Sequence, residues 1–213
     1  MKFAEFCDFT KKYPNETVQV FIDQSNLYKA IEKAYPGHRL DYKKLAMKLV
    51  AERKLLRINI YISTLNSEWD PEPSRAQQEF ISALRHLPFV TVKTRPLRYK
   101  RITKYDNKTG TDIFLRMKRD REKGIDILLA TDMLSQAYVS GYESMILVSG
   151  DGDYAPVLEE IKAMGKRVEN AFLEESRSNA LRSVSDIFID LDKDVLGDCL
   201  KKKPVPLSGT GGV

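Results

Sequence analysis

The stretch ILVSGDGDYAPVLEEIKAMGKRV, residues 146–168, decides the fold. It opens with the apolar run 146–148, which is too short for a helix and is typical of a buried strand. Turn-forming residues at 149–153 interrupt this run, and apolar residues then recur at helical spacing until Gly165. A strand, a tight turn and a helix place the turn at the carboxyl edge of a parallel sheet, where α/β proteins bind their ligands.

Two carboxylates, Asp151 and Asp153, flank Gly152 within this turn. Neighbouring like charges repel each other, and a hard divalent cation commonly offsets that repulsion. An Asx-turn at Asp151 and a helix N-cap at Asp153 explain the same residues without any metal. The turn alone leaves both interpretations open, so acids elsewhere in the chain must decide between them.

An aspartate also ends the first predicted strand. The apolar-rich run 18–22 is followed by Asp23, and apolar residues in 27–34 continue at helical spacing. Asp23 is therefore expected at the carboxyl edge of the sheet. Asn26 lies at the start of the helix, where its side chain is placed to hold Asp23 or a metal-bound water. A simple N-cap role for Asp23 is the alternative.

A long helix is predicted over residues 124–139 and carries two more acids. Asp126 lies in its first turn, and Asp132 follows nearly two turns later. Six residues advance about 600° around a helix, so these two side chains do not share a face. Asp126 is the better candidate ligand.

The remaining chain alternates between helices and strands, which is typical of an α/β domain. One domain over residues 18–192 is expected, after an N-terminal segment, 1–17. Residues 193–213 are rich in Pro, Gly and Lys and are predicted to be a disordered tail. The other predicted helices are 42–53, 74–87 and 178–184, and the other predicted strands are 56–62, 89–92, 167–172 and 187–191.

A basic β-hairpin is predicted as an insert at about residues 95–118, because two alternating segments flank a turn-forming stretch. Residues 91–123 contain twelve Lys or Arg against four Asp or Glu, whereas the whole chain carries a net charge of +5. Such a concentration suits a polyanionic partner, although a solvated charged face gives the same pattern. The predicted nucleic-acid-binding residues are Arg95, Arg98, Lys100, Arg101, Lys104 and Arg116.

Composition excludes several classes of protein. Two cysteines without CxxC spacing and two histidines are too few for a zinc site or a histidine-dependent nucleophile. The N-terminus does not resemble a signal peptide, and no run of eighteen apolar residues is present, so a cytoplasmic protein without a membrane segment is expected.

Three separate stretches, FIDQSN at 21–26, KGID through ATDM at 123–133 and SGDGDY at 149–154, resemble the motifs of NYN domains, a branch of the PIN-like nucleases. The resemblance implies a three-layer, Rossmann-like fold with a mostly parallel central sheet between helices. It also implies ribonuclease chemistry that depends on Mg²⁺ or Mn²⁺. One departure is Tyr154, where phenylalanine is more usual.

Site roles follow from the same resemblance. It implies that Asp23, Asp126, Asp151 and Asp153 are the catalytic and metal-binding acids. The supporting residues are Asn26, Asp132, Lys123 and Ser149, with Lys123 either contacting a phosphate or simply solvated. The implied partner is RNA, single-stranded or structured, and a homodimer is left open.

Two other functions stay open. A phosphatase could use Asp23 as a nucleophile, but such enzymes carry a second aspartate two residues later, where this chain has Ser25. A non-catalytic RNA-binding or scaffold module of the same fold is the other alternative.

Overall fold

The computed structural model describes residues 3–106, 109–120, 124–139 and 141–203. Its strands are β1 (Thr17–Asp23), β2 (His38–Leu40), β3 (Lys54–Thr64), β4 (Val90–Pro96), β5 (Tyr99–Asp106), β6 (Thr111–Arg119), β7 (Ser144–Val148), β8 (Arg167–Phe172), β9 (Ile187–Asp190) and β10 (Leu200–Lys202). Its helices are α1 (Phe3–Thr10), α2 (Gln24–Ala34), α3 (Tyr42–Val50), α4 (Pro71–Arg85), α5 (Ile125–Val139), α6 (Ala155–Ala163), α7 (Asn179–Val184) and α8 (Lys193–Leu196).

Six strands form the central sheet in the order β4-β3-β1-β7-β8-β9, and every neighbouring pair is parallel. The predicted fold class is therefore confirmed. From β1 the chain adds β3 and then β4 on one side. It returns through α5 to β7, on the other side of β1, and then adds β8 and β9. Because the strand order reverses between β1 and β7, a crevice is expected outside their carboxyl ends.

Helices cover both faces of this sheet. Successive side chains of β1 point to opposite faces, and both sets are buried. Val20 and Ile22 are fully buried against the layer that contains α2, α3 and α4. Phe21 is fully buried against the opposite layer, which contains α5, α6 and α7. Asp23 continues the alternation on the side of Phe21, so its carboxylate lies toward α5 and α6.

The predicted hairpin insert forms from β5 and β6, which make a separate two-stranded antiparallel ribbon. Asp70, just before α4, holds the base of this ribbon. Its carboxylate accepts a hydrogen bond from the Tyr99 hydroxyl at 2.5 Å and a bidentate pair from the Arg119 guanidinium at 2.8 and 3.0 Å. The hairpin is thus fixed to the domain at its base.

The prediction of a disordered tail is wrong over residues 193–203, which form α8 and β10. β10 pairs antiparallel with β2, and Val195, Leu196 and Cys199 are fully buried. These apolar side chains complete the core beneath α3, and their burial offsets the entropy of ordering a polar segment. Residues 204–213 lie outside the described part of the chain.

No helix within the described ranges is long and apolar enough to cross a membrane.

A buried ionic network joins strands and helices at the amino edge of the sheet. Arg53 and Glu169 are both buried, and the guanidinium donates to the two carboxylate oxygens at 2.5 and 3.0 Å. The same guanidinium donates to Glu16 at 3.2 Å. Burial opposes the charge on Arg53, but the hydrogen bonds that it donates to Glu169 and Glu16, and the negative charges of these residues, hold the pKa of Arg53 above its ordinary value. The network therefore stabilises the fold only while it is complete.

We expect Arg53→Met to lower the free energy of unfolding by about 3–5 kcal/mol, because it leaves the Glu169 carboxylate buried and unpaired. Adding Glu169→Leu should recover most of that lost stability, because it removes the unpaired carboxylate. Glu16 stays paired in the double variant, since it also contacts Arg167 at 2.7 Å and the Ser144 hydroxyl at 2.7 Å. Urea unfolding of the single and double variants measures both effects. A double variant less stable than Arg53→Met would contradict this account.

Candidate active site

Asp23, at the carboxyl end of β1, is the buried centre of the candidate site, with 5% of its surface exposed. One carboxylate oxygen accepts the Asn26 backbone N–H at 3.1 Å, so Asp23 is the N-cap of α2. The other oxygen accepts from the Ser149 hydroxyl at 3.2 Å and the Tyr154 hydroxyl at 3.4 Å. Asp23 therefore caps a helix and also joins the turn after β7.

The Tyr154 hydroxyl connects two of the predicted acids. This side chain is 2% exposed, and its oxygen lies 3.4 Å from Asp23 Oδ2 and 3.4 Å from Asp126 Oδ1. Burial raises the pKa of Tyr154, and so do the negative charges of Asp23, Asp126 and Asp151. The phenol therefore stays protonated, and its single hydrogen serves one carboxylate at a time. Two acids, Asp23 of β1 and Asp126 of α5, therefore meet at this hydroxyl.

The turn after β7 has the geometry of an Asx-turn. The Asp151 carboxylate accepts the backbone N–H of Asp153 at 3.0 Å and caps the short 3-10 turn Gly152–Tyr154. The prediction that Asp153 caps the following helix is wrong, because Asp153 lies inside the 3-10 turn and α6 begins at Ala155. The Asp153 side chain is exposed, whereas Asp151 is half-buried.

Gly150 lets another loop approach this turn. A Cβ placed on Gly150 would lie 1.8 Å from the backbone oxygen of Ser176, in the loop after β8. The Gly150 N–H donates to the side-chain oxygen of Asn26 at 2.9 Å. The sequence predicts that the Asn26 side chain holds Asp23 or a metal-bound water. The backbone N–H of Asn26 contacts Asp23, and the side chain fixes the turn.

Asp132 does not join the three acids. Its carboxylate accepts from the Tyr61 hydroxyl at 2.8 Å and forms an ion pair with Lys93. These contacts attach α5 to β3 and β4. The prediction that Asp126 and Asp132 do not share a helix face agrees with this placement. Lys123, the other supporting residue, lies outside the described part of the chain.

A cleft of about 1100 Å³ opens beside the acids and is lined by Asp23, Asp126 and Asp151. Asn26 of α2 and the hairpin-base residues Arg119 and Asp120 also line it. Asp153 and Asp132 are not among the lining residues. The sheet edge, the start of α5 and the base of the hairpin therefore meet at one opening.

The predicted basic residues of the hairpin divide between its two faces. Lys100 pairs with Lys118 and Ile102 pairs with Arg116, so these cations share a face with Lys104. Arg101 points from the other face and lies 4.9 Å from the centre of the Phe114 ring. This division follows from the alternation of side chains along each strand. Arg95 and Arg98 lie at the end of β4 and just before β5, and neither lines the cleft.

Sequence reasoning missed three residues that shape the site. Tyr154 was read as a substitution for phenylalanine, yet its hydroxyl contacts two acids. Arg119 lines the cleft although it was not among the predicted binding residues. Asn170 is fully buried in β8 and donates to the backbone oxygens of Leu147 and Ser149 at 3.1 and 2.9 Å. The sequence does contain a signal for Asn170, because an amide side chain within an apolar strand is unusual and indicates a specific hydrogen-bonding role.

Among the described residues, no three His, Cys, Asp or Glu side chains are grouped to hold a metal ion. The donor chemistry nevertheless fits a hard cation, because Asp23, Asp126 and Asp151 offer only oxygen atoms. The Tyr154 hydroxyl, a neutral donor, occupies the space between two of these carboxylates.

Comparison with known proteins identifies the family of this chain. A family model for the NYN domain matches residues 17–192. Over 173 residues the chain is 25% identical to the Low amplitude and bright protein LabA of Synechococcus elongatus, covering 81% of this chain and 82% of LabA. The fold is similar to a crystal structure of a protein of unknown function from Vibrio parahaemolyticus, with a TM-score of 0.62, 23% identity and coverage of 85% and 96% of the two chains.

The structural likeness shows the fold alone, whereas the family model spans most of the chain and includes Asp23, Asp126 and Asp151. The chain therefore belongs to the NYN domain family, a branch of the PIN-like nuclease superfamily.

Proposed function

We propose that this protein is a ribonuclease that hydrolyses RNA phosphodiester bonds with Mg²⁺ or Mn²⁺ bound by Asp23, Asp126 and Asp151. The observation that supports this proposal is that Asp23, Asp126 and Asp151 line one cleft at the point where the strand order reverses. Membership of the NYN family supports the same chemistry. Asp153, exposed on the same turn, is proposed as a further ligand.

The residues of this chain would orient those ligands. Ser149 and the Asn26 backbone fix the Asp23 carboxylate, and the Asx-turn fixes Asp151. A bound Mg²⁺ or Mn²⁺ supplies an activated water and neutralises charge on the scissile phosphate. The cleft beside the acids leaves room for the nucleic acid.

A non-catalytic RNA-binding module is the second candidate, and one observation favours it. The Tyr154 hydroxyl lies between Asp23 and Asp126, and the described acids are not grouped for a metal. Metal binding would therefore require these side chains to move together. An activity assay separates the two candidates.

RNA binding is proposed for one face of the hairpin, which presents Lys100, Lys104, Arg116 and Lys118. Lys100 lies 3.7 Å from Asp120, so the other three cations are the better phosphate contacts. Arg101, on the opposite face, is proposed to play no part in phosphate binding.

The first test of catalysis is Asp151→Asn. We expect cleavage of RNA with Mg²⁺ or Mn²⁺ to fall by at least about a hundredfold, the scale of one lost electrostatic contact. The amide oxygen can still accept the Asp153 N–H, so the fold should be kept. Asp190→Asn is the matched control, because Asp190 also ends a strand of the sheet and is exposed. Cleavage that survives EDTA, or an Asp151→Asn variant as active as Asp190→Asn, would refute the mechanism.

Tyr154→Phe tests whether the hydroxyl offsets repulsion between the acids. We expect the metal-free variant to lose about 0.5–1.5 kcal/mol of stability, the usual contribution of one hydrogen bond. Mn²⁺ should then raise its melting temperature more than that of the parent, because the metal no longer competes with the hydroxyl. Thermal unfolding in EDTA and in Mn²⁺ measures both quantities.

Tyr142→Phe is the control for that measurement, since the buried Tyr142 hydroxyl has no hydrogen-bond partner within the described residues. Its melting temperature should not fall, and its response to Mn²⁺ should match the parent. An equal Mn²⁺ response in Tyr154→Phe and the parent would contradict the role given to the Tyr154 hydroxyl.

The hairpin is tested by replacing Lys104, Arg116 and Lys118 with Ser. Each phosphate contact to a single strand contributes about −0.7 to the slope of log K against log salt, so the slope should flatten by up to about 2. Arg101→Ser should leave the slope unchanged, because Arg101 lies on the other face against Phe114. Fluorescence anisotropy with labelled RNA at several salt concentrations gives the slopes. If the triple variant and Arg101→Ser behave alike, the basic face does not bind RNA.

A further inference from the structure

Helix α5 carries apolar side chains around its whole circumference. Ile125, Leu129 and Met133 are buried on its inner side, where the helix packs against β1 and β3. On its outer side, Ile127 is 69% exposed and Tyr138 is 84% exposed. A helix that is apolar on all sides is normally covered on all sides. The outer side of α5 is therefore a candidate contact surface.

The other long helices have charged outer sides. Exposed charged side chains occur on α2, α3, α4 and α6, among them Lys29, Lys44, Arg75 and Glu159. The two charged residues of α5 are both directed elsewhere. Asp126 contacts the Tyr154 hydroxyl in the candidate site. Asp132 forms an ion pair with Lys93 of β4. What α5 presents on its outer side is thus uncharged.

Four outer residues of α5 follow each other at intervals of four, three and four positions: Ile127, Thr131, Leu134 and Tyr138. Side chains at these intervals lie on one side of a helix, and the same intervals separate the contact residues of paired helices. These four residues are called the outer α5 face below. We propose that this face pairs with the outer α5 face of a second copy of this chain, with the two helices antiparallel.

The arrangement of side chain sizes suits an antiparallel pair. Ile127 and Tyr138, the large exposed side chains, lie at the two ends of the face, and Thr131 lies near its middle. In an antiparallel pair Ile127 meets Tyr138 of the second copy, and Thr131 meets Leu134 of the second copy. The opposite partial charges of the two helix dipoles then lie side by side.

Charge favours a second copy as the partner. Each copy carries a net charge of +5, so two copies approach each other only through a surface that does not oppose like charges. Across a two-fold axis a patch meets itself, and a charged residue near the axis would face its own equivalent. The outer α5 face has no such residue.

Other kinds of partner fit this face less well. RNA binding depends on Lys and Arg side chains that neutralise phosphates, and the outer α5 face has neither. A helix that lies in a membrane surface inserts its apolar side and keeps a cationic side in water, whereas the inner side of α5 is buried in the core. A different protein is the remaining occupant, and in that case the purified protein is a monomer.

The size of the face indicates a weak dimer. A specific interface buries roughly 800 Å² on each partner. With 15 residues, α5 is about 22 Å long, so it supplies the centre of such an interface and its neighbours supply the rim. The four residues of the outer α5 face do not line the cleft beside the acids, so pairing leaves that cleft open.

The test is the oligomeric state of the full chain, measured by sedimentation velocity from about 1 μM to about 200 μM, a range that brackets micromolar affinity. We expect the parent to shift from monomer to dimer over this range. Thr131→Arg places two like charges near the axis and should raise the dissociation constant of the dimer at least about tenfold. Tyr138→Ser removes an exposed ring and should raise it at least about fivefold.

Ser82→Arg is the matched control, because Ser82 is exposed on α4, in the opposite helical layer, and gains the same charge. Its dissociation constant should equal that of the parent. Thr131 and Tyr138 are exposed, so their variants should keep the fold, which circular dichroism verifies.

Disulfide cross-linking tests the direction of pairing with Ile127→Cys and Tyr138→Cys. In an antiparallel pair the two copies of position 127 are about 16 Å apart along the axis, whereas a disulfide needs Cα atoms within about 7 Å. Under mild oxidation, a mixture of the two variants should therefore cross-link, and either variant alone should not. The parent under the same oxidant controls for Cys7 and Cys199.

Three results would overturn the inference. The first is a parent that stays monomeric at the highest concentration. The second is equal dimerisation by Thr131→Arg and Ser82→Arg. The third is cross-linking of either cysteine variant with itself in place of the mixture. RNA cleavage enters none of these measurements, so the inference is tested separately from the proposed function.

Discussion

The parallel pairing of β1 with β7 is the constraint on which the candidate site depends. Phe21 pairs with Leu147 and Ile22 with Val148, so the chain leaves both strands at the same level of the sheet. Asp23 and Ser149 then come within hydrogen-bonding distance, at 3.2 Å. Because side chains alternate along a strand, a slip of one residue would turn Asp23 toward the opposite helical layer. Buried apolar residues on both faces of β1 prevent that slip.

Much of this arrangement could be predicted from the sequence, because an acid that follows a short apolar run must lie at a strand end. That reasoning located Asp23 and Asp151 at the carboxyl edge. The rotation of 100° per residue along a helix likewise places Asp126 and Asp132 on different faces of α5. The structure adds the physical reason for Asp132, which attaches α5 to β3 and β4 through Tyr61 and Lys93.

The parts that could not be predicted depend on contacts between distant residues. Tyr154 and Asp23 are 131 positions apart, and no local pattern reveals that a tyrosine hydroxyl will lie between two acids. The order of residues 193–203 depends on pairing with β2, more than 150 positions earlier, so composition alone suggested disorder. Alternation along β5 already separates Arg101 from Lys100 and Lys104, but the placement of Arg116 and Lys118 on the face of Lys100 depends on the register in which the two strands pair.

Gly150 limits how this protein can be varied. The backbone of Ser176, in the loop after β8, occupies the space that a side chain at position 150 would need. A larger residue at 150 therefore requires the loop after β8 to move away. Natural variants should accordingly change the two segments as a pair. Directed evolution of the protein would need paired libraries at these positions rather than single-site ones.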